Sequence, residues 1–102
     1  MSAAPPGVPP PAYLDESLRL RWAELAPVVS PGTLTRATAG AFARYVVAEQ
    51  EYLRATQHAL RALHVGLADE AAVWSAVQER FGRELTALGR MFGLTPDAKI
   101  LG

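Results

Sequence analysis

The stretch HALRALHVGLADEAAVW, residues 58–74, decides the fold of this chain. Alanines and leucines interspersed with Arg61 and two histidines carry a helical pattern as far as His64, Gly66 interrupts it, and residues 68–74 resume one at once. A connection as short as Gly66-Leu67-Ala68 leaves room only for an immediate reversal, so the spacing predicts two antiparallel helices meeting here. Gly66 is the expected terminator of the first, with His64 favourably placed at the negative end of its dipole, and Asp69 is the expected cap of the second.

Working upstream, the helical pattern reaches back to Thr33 or Thr35, a length of roughly 45 Å at about 1.5 Å per residue. It carries two apolar stripes: Thr38, Ala41, Tyr45, Ala48, Tyr52, Ala55 and Ala59 on one, Phe42, Val46, Leu53, Leu60 and Leu63 on the other. A single partner helix covers only one such face. Downstream, Trp74, Val77, Phe81, Leu85, Leu88 and Phe92 recur at spacings of three and four. Gly93 is suited to the left-handed turn that closes a helix, Leu94 is placed to fold back onto Leu88, and Pro96 forbids a restart.

Gly82 and Gly89 lie inside this last helix, where each costs about 1 kcal/mol relative to alanine. With Ser75, Thr86 and Gly93 they form a small-residue seam that lets two backbones approach, and the alanine-rich stripe upstream is its natural counterpart. Tyr45, Ala48, Tyr52, Ala55, Gly82, Thr86 and Gly89 are therefore the candidate oligomer interface. The sequence leaves open whether the two sides of the seam meet within one chain or between chains.

Ahead of the hairpin, Asp15 is a plausible N-cap for a short helix bearing Leu14, Leu18, Trp22, Leu25 and Val29, with a kink or early stop expected at Pro27. Residues 1–13 hold Pro5, Pro6, Pro9, Pro10 and Pro11, a composition that reads as an extended arm, either free or strapped onto a neighbouring subunit. The organisation is thus an arm at 1–13, a helical oligomerisation domain at 14–94 and a tail at 95–102. The fold class is all-α: a short N-terminal helix followed by a long antiparallel helical hairpin, assembling into an oligomeric ring.

Half of the 102 residues are hydrophobic, more than so small a body can bury alone, which is the compositional argument for an oligomer. Ten basic residues balance ten acidic ones, so no overall field draws the chain to nucleic acid or anionic lipid. With no cysteine, disulfides, thiolate metal sites and cysteine nucleophiles are excluded. No apolar run approaches the roughly 18 residues that span a bilayer and no secretory leader is evident, so a cytoplasmic protein without membrane contact is expected.

Phosphate-binding loops, metal-ligand spacings and serine nucleophile motifs do not occur, and His58 and His64 fall on different helix faces. The chorismate-mutase type of helical enzyme would require paired Arg and Asp positions ahead of a run of leucines in its opening helix, and these are missing. No catalytic, cofactor or metal residue is assigned, and the chain is read as a non-enzyme.

From Pro11 onward the sequence resembles the small terminase subunit of tailed phages. The residues that carry the resemblance are Pro11 and Leu14 leading into a helix with Trp22, Gly32-Thr33-Leu34-Thr35 opening the long helix, and Tyr45 and Tyr52 along it. Leu85, Leu88 and Phe92-Gly93-Leu94-Thr95-Pro96 complete the match. The resemblance implies a non-catalytic DNA-packaging adaptor in a bacterial host cell, a ring of identical subunits that engages DNA and regulates the ATPase and nuclease of the large terminase.

Members of that family often carry basic residues before the first helix and after the terminal Thr-Pro. Here residues 1–18 contain none, and the tail has only Lys99 beside Asp97. Weak or nonspecific contact with double-stranded DNA is expected, through Arg19, Arg21, Arg36 and Arg44, multiplied by the ring. Such binding would suit a packager that does not select one viral sequence, as in a gene transfer agent. Lys99, Ile100 and Leu101 are the expected docking peptide for the large subunit. The alternative is a generic helical scaffold without a packaging role, and a small all-α enzyme comes third.

Overall fold

The computed structural model describes residues 7–94 as three helices: α1 Glu16–Leu25, α2 Ala39–His64 and α3 Ala68–Phe92. The expected all-α hairpin with a short leading helix is what the chain adopts.

Asp15 caps α1 as its position implied. Its carboxylate accepts from the Leu18 amide at 2.9 Å and from the Ser17 hydroxyl at 3.1 Å, satisfying a donor that the helix start leaves free. The helix stops at Leu25, two residues before Pro27, so the early stop prevails over the kink. Val29 lies beyond the helix and still packs beside the core. The described part of the arm lies against its own chain. Val8 packs on the core and its carbonyl accepts from the Trp22 indole N–H at 3.3 Å.

α2 begins at Ala39, later than Thr33 or Thr35. The reason is local: the Thr38 hydroxyl donates to the Thr33 carbonyl at 2.6 Å and accepts from the Thr35 amide at 2.8 Å, holding residues 33–38 in turns that compete with the helix. Its 26 residues still extend about 39 Å.

Gly66 takes φ 82° and ends α2. Its N–H donates to the Leu63 carbonyl and that of Leu67 to the Ala62 carbonyl, the paired bonds of a Schellman stop. Leu67 both completes that stop and precedes α3, so α3 starts at Ala68 and Asp69 sits in its first turn instead of capping it. The acid remains favourable there, against the positive end of the dipole. Gly93, at φ 70°, repeats the device at the end of α3, with Leu94 donating to the Gly89 carbonyl at 2.8 Å. Leu94 and Leu88 fold onto the same cluster of Tyr45, Ala48, Tyr52 and Leu85.

The main core lies at the open end of the hairpin. Leu14, Leu18 and Trp22 of the first segment meet Phe42, Ala43 and Val46 of α2 and Phe92 of α3. Trp22 and Phe92 both approach Phe42 edge-on, at centroid distances of 4.7 and 5.0 Å. The Ser30 amide donates to the Phe92 carbonyl at 2.8 Å, tying the α1–α2 connection to the last turn of α3.

The two apolar stripes of α2 meet different fates. The Tyr45, Ala48, Tyr52, Ala55 and Ala59 stripe is buried against α3, whereas α1 covers only the first part of the other, leaving Leu53, Leu60 and Leu63 exposed. On α3, Leu85 and Phe92 are buried, but Trp74, Val77, Phe81 and Leu88 are half-buried.

Candidate functional site

The small-residue seam is filled from within the chain. A Cβ on Gly82 would stand 3.2 Å from the Tyr52 ring, and one on Gly89 would stand 2.5 Å from the Leu94 carbonyl oxygen and 3.4 Å from the Tyr45 ring. The glycines therefore let two tyrosines of α2 and the returning chain end lie against α3. Thr86 turns its hydroxyl back onto the Gly82 carbonyl at 3.1 Å.

The candidate interface residues lie inside the hairpin. Tyr45, Ala48, Tyr52 and Ala55 are at most 5 % exposed, and Gly82 and Gly89 face the two tyrosines across the same chain. What the sequence could read as an oligomer seam is the interior of the hairpin, because one helix can be covered by its own antiparallel neighbour before any second copy arrives.

The four arginines expected to meet DNA do not form one free basic surface. Arg21 grips Glu49 with two bonds, Nε to Oε1 at 2.6 Å and Nη2 to Oε2 at 2.9 Å, and reaches Glu24 at 3.0 Å. These carboxylates, Glu49 first, hold the guanidinium above its already high ordinary pKa. Arg19 donates to the Ala12 carbonyl at 2.9 Å, and Arg44 lies 3.7 Å from Glu84. Arg36, exposed in the turn before α2, makes no ion pair among the described residues. Arg19 and Arg21 are two positions apart on α1 and so point to different faces.

Glu49 is the buried acid that the sequence reading passed over, 7 % exposed and clamped between helices. A signal was present: Glu49 interrupts the helical run Phe42, Val46, Leu53, where a lone acid demands a partner. The Tyr45 hydroxyl beside it is raised above its ordinary pKa by burial, with Glu49 adding to the shift. His58 of α2 stacks on Trp74 of α3 at 4.4 Å with the rings 20° apart. Lys99, Ile100 and Leu101 lie outside the described residues.

An open apolar groove of about 440 Å³ runs between the arm and the α1–α2 connection, lined by Val8, Ala26, Pro27, Val29, Pro31 and Leu34 among others, with the Ser30 hydroxyl its one side-chain polar group. That lining offers shape without acid, base or nucleophile beyond a single hydroxyl. Among the described residues, no helix is long and apolar enough to cross a membrane.

A further exposed apolar surface lies at the far end of the hairpin. There Leu60 and Leu63 are 61 % and 60 % exposed, beyond the reach of α1, whose Ser17 meets Gln50 at 3.2 Å. In comparisons with known proteins, no family model, no curated protein and no solved structure matches this chain.

Proposed function

We propose that this chain is a non-catalytic adaptor that assembles with copies of itself, and that it serves as the small terminase subunit of a phage or gene transfer agent. The observation that carries the assembly reading is the exposed leucine-bearing surface of α2 past the end of α1, which a lone chain leaves in water. The packaging role rests on the order of the residues shared with that family, from Pro11 to Phe92-Gly93-Leu94-Thr95-Pro96.

With Arg21 and Arg44 beside carboxylates, the adaptor works mainly through protein contacts, and any contact with double-stranded DNA is weak and salt-sensitive, with Arg36 the one of the four nominated arginines that makes no hydrogen bond or ion pair among the described residues. Capture of a large terminase by the full chain, with a change in the ATPase rate of that enzyme, tests the role. No capture together with an unchanged ATPase favours a generic scaffold. Gel shifts at low and physiological salt test the DNA component: binding that ignores both salt and Arg36→Ala would contradict an electrostatic contact.

A further inference from the structure

Charge is segregated at the tip of the hairpin. From Tyr52 to Val65 the chain carries Arg54, His58, Arg61 and His64 and no Asp or Glu, whereas from Leu67 to Glu79 it carries Asp69, Glu70 and Glu79 and no Lys or Arg. The two sides do not neutralise one another in the chain. Among the described residues the ion pairs join Arg21 to Glu24 and Glu49, Arg44 to Glu84 and Arg54 to Glu51, and none joins Arg61 to Asp69 or Glu70.

Large aliphatics stand exposed on both sides of this divide. Leu60 and Leu63 flank Arg61, and Leu67 and Val73, 49 % and 63 % exposed, flank Asp69 and Glu70. Each side thus has an apolar centre with a rim of a single sign, and the two rims are opposite.

The geometry points to a contact between two copies in which the basic tip of α2, through Leu60, Arg61 and Leu63, seats on the acidic first turns of α3, through Asp69, Glu70 and Val73. The inference rests on the self-assembly proposed above and names its surfaces. Pairing α2 with α2 would set Arg61 against like charges, and pairing α3 with α3 would do the same for Asp69 and Glu70; only α2 on α3 joins opposite signs while covering the aliphatics. The contact repeats head to tail or reciprocally about a two-fold axis, according to how the copies close.

Size-exclusion chromatography with light scattering on the full chain, across a concentration series and at two salt concentrations, tests it. The wild-type chain runs above its 10.9 kDa monomer mass. Arg61→Glu and the paired Asp69→Arg/Glu70→Arg variant each raise the concentration for half-association by about tenfold or more, added salt weakens the wild-type assembly, and combining the reversals restores it. Circular dichroism on each variant keeps loss of folding distinct from loss of contact, and Leu60→Ser serves as an uncharged second probe. Reversal variants that associate like wild type, or a combination no better than its parts, overturn this contact and leave self-assembly standing. A wild-type monomer at every concentration overturns both.

Discussion

Arg21 and Glu49 show how a single pair sets the attachment of an element. The carboxylate is buried and accepts both bonds from a guanidinium that is still partly in water, so removing the arginine strands an acid between helices. Arg21→Ala is expected to lose about 1–3 kcal/mol by chemical denaturation, and Arg21→Lys, which cannot keep both bonds, to recover only part of it. Asp15 acts at the other end of α1. The Leu18 amide and Ser17 hydroxyl hold its carboxyl below the ordinary aspartate pKa, so its contribution is present above the unfolded value and disappears as pH falls through the lowered folded one. Asp15→Ala should therefore lower the melting temperature at neutral pH, with the difference shrinking well below about pH 3.9.

Among the elements, α3 has two glycines that look equivalent in sequence and are not. Alanine at either position gains about 1 kcal/mol of helix propensity. At Gly82 the new methyl meets the edge of the Tyr52 ring at 3.2 Å, a contact that needs a shift of a few tenths of an ångström; at Gly89 it meets the Leu94 backbone at 2.5 Å, which requires the chain to move. Gly89→Ala should be the less stable of the two by about 1–3 kcal/mol in urea titrations, and a reversed ranking would refute the account of the chain end folding over Gly89.

Elements were legible where local chemistry acts alone. Asp15, Gly66 and Gly93 announced helix boundaries because caps and left-handed turns depend on one or two residues. The start of α2 was not, since Thr33, Thr35 and Thr38 bond among themselves, and Asp69 lost the cap position because Leu67 was already committed to the preceding stop. The partner of the Tyr45 stripe was not legible for a different reason: periodicity identifies a face that must be covered and is silent on which chain covers it.

At the scale of the whole molecule, a short leading helix faces a hairpin partner more than twice as long, and the uncovered remainder is what makes assembly the natural reading. If copies associate, folding stability becomes concentration-dependent, so the melting temperature should rise with protein concentration; a constant value across a hundredfold range would indicate a self-sufficient monomer. The four arginines nominated for DNA illustrate the limit of reading charge from sequence. Arg21 and Arg44 look free until the fold brings Glu49 and Glu84 beside them.

Large buried side chains are concentrated at the open end of the hairpin and small ones toward its reversal. Phe42, Trp22 and Phe92 fasten the open end, whereas the buried positions toward the reversal are Ala55, Ala59, Ala62 and Ala71. Alanine buries little surface, so few contacts oppose local opening there, and amide hydrogens near the reversal should exchange faster than those beside Phe42. The exposed leucines and segregated charges thus ride on the end of the hairpin whose buried positions are smallest, and a bound neighbour should slow exchange there first.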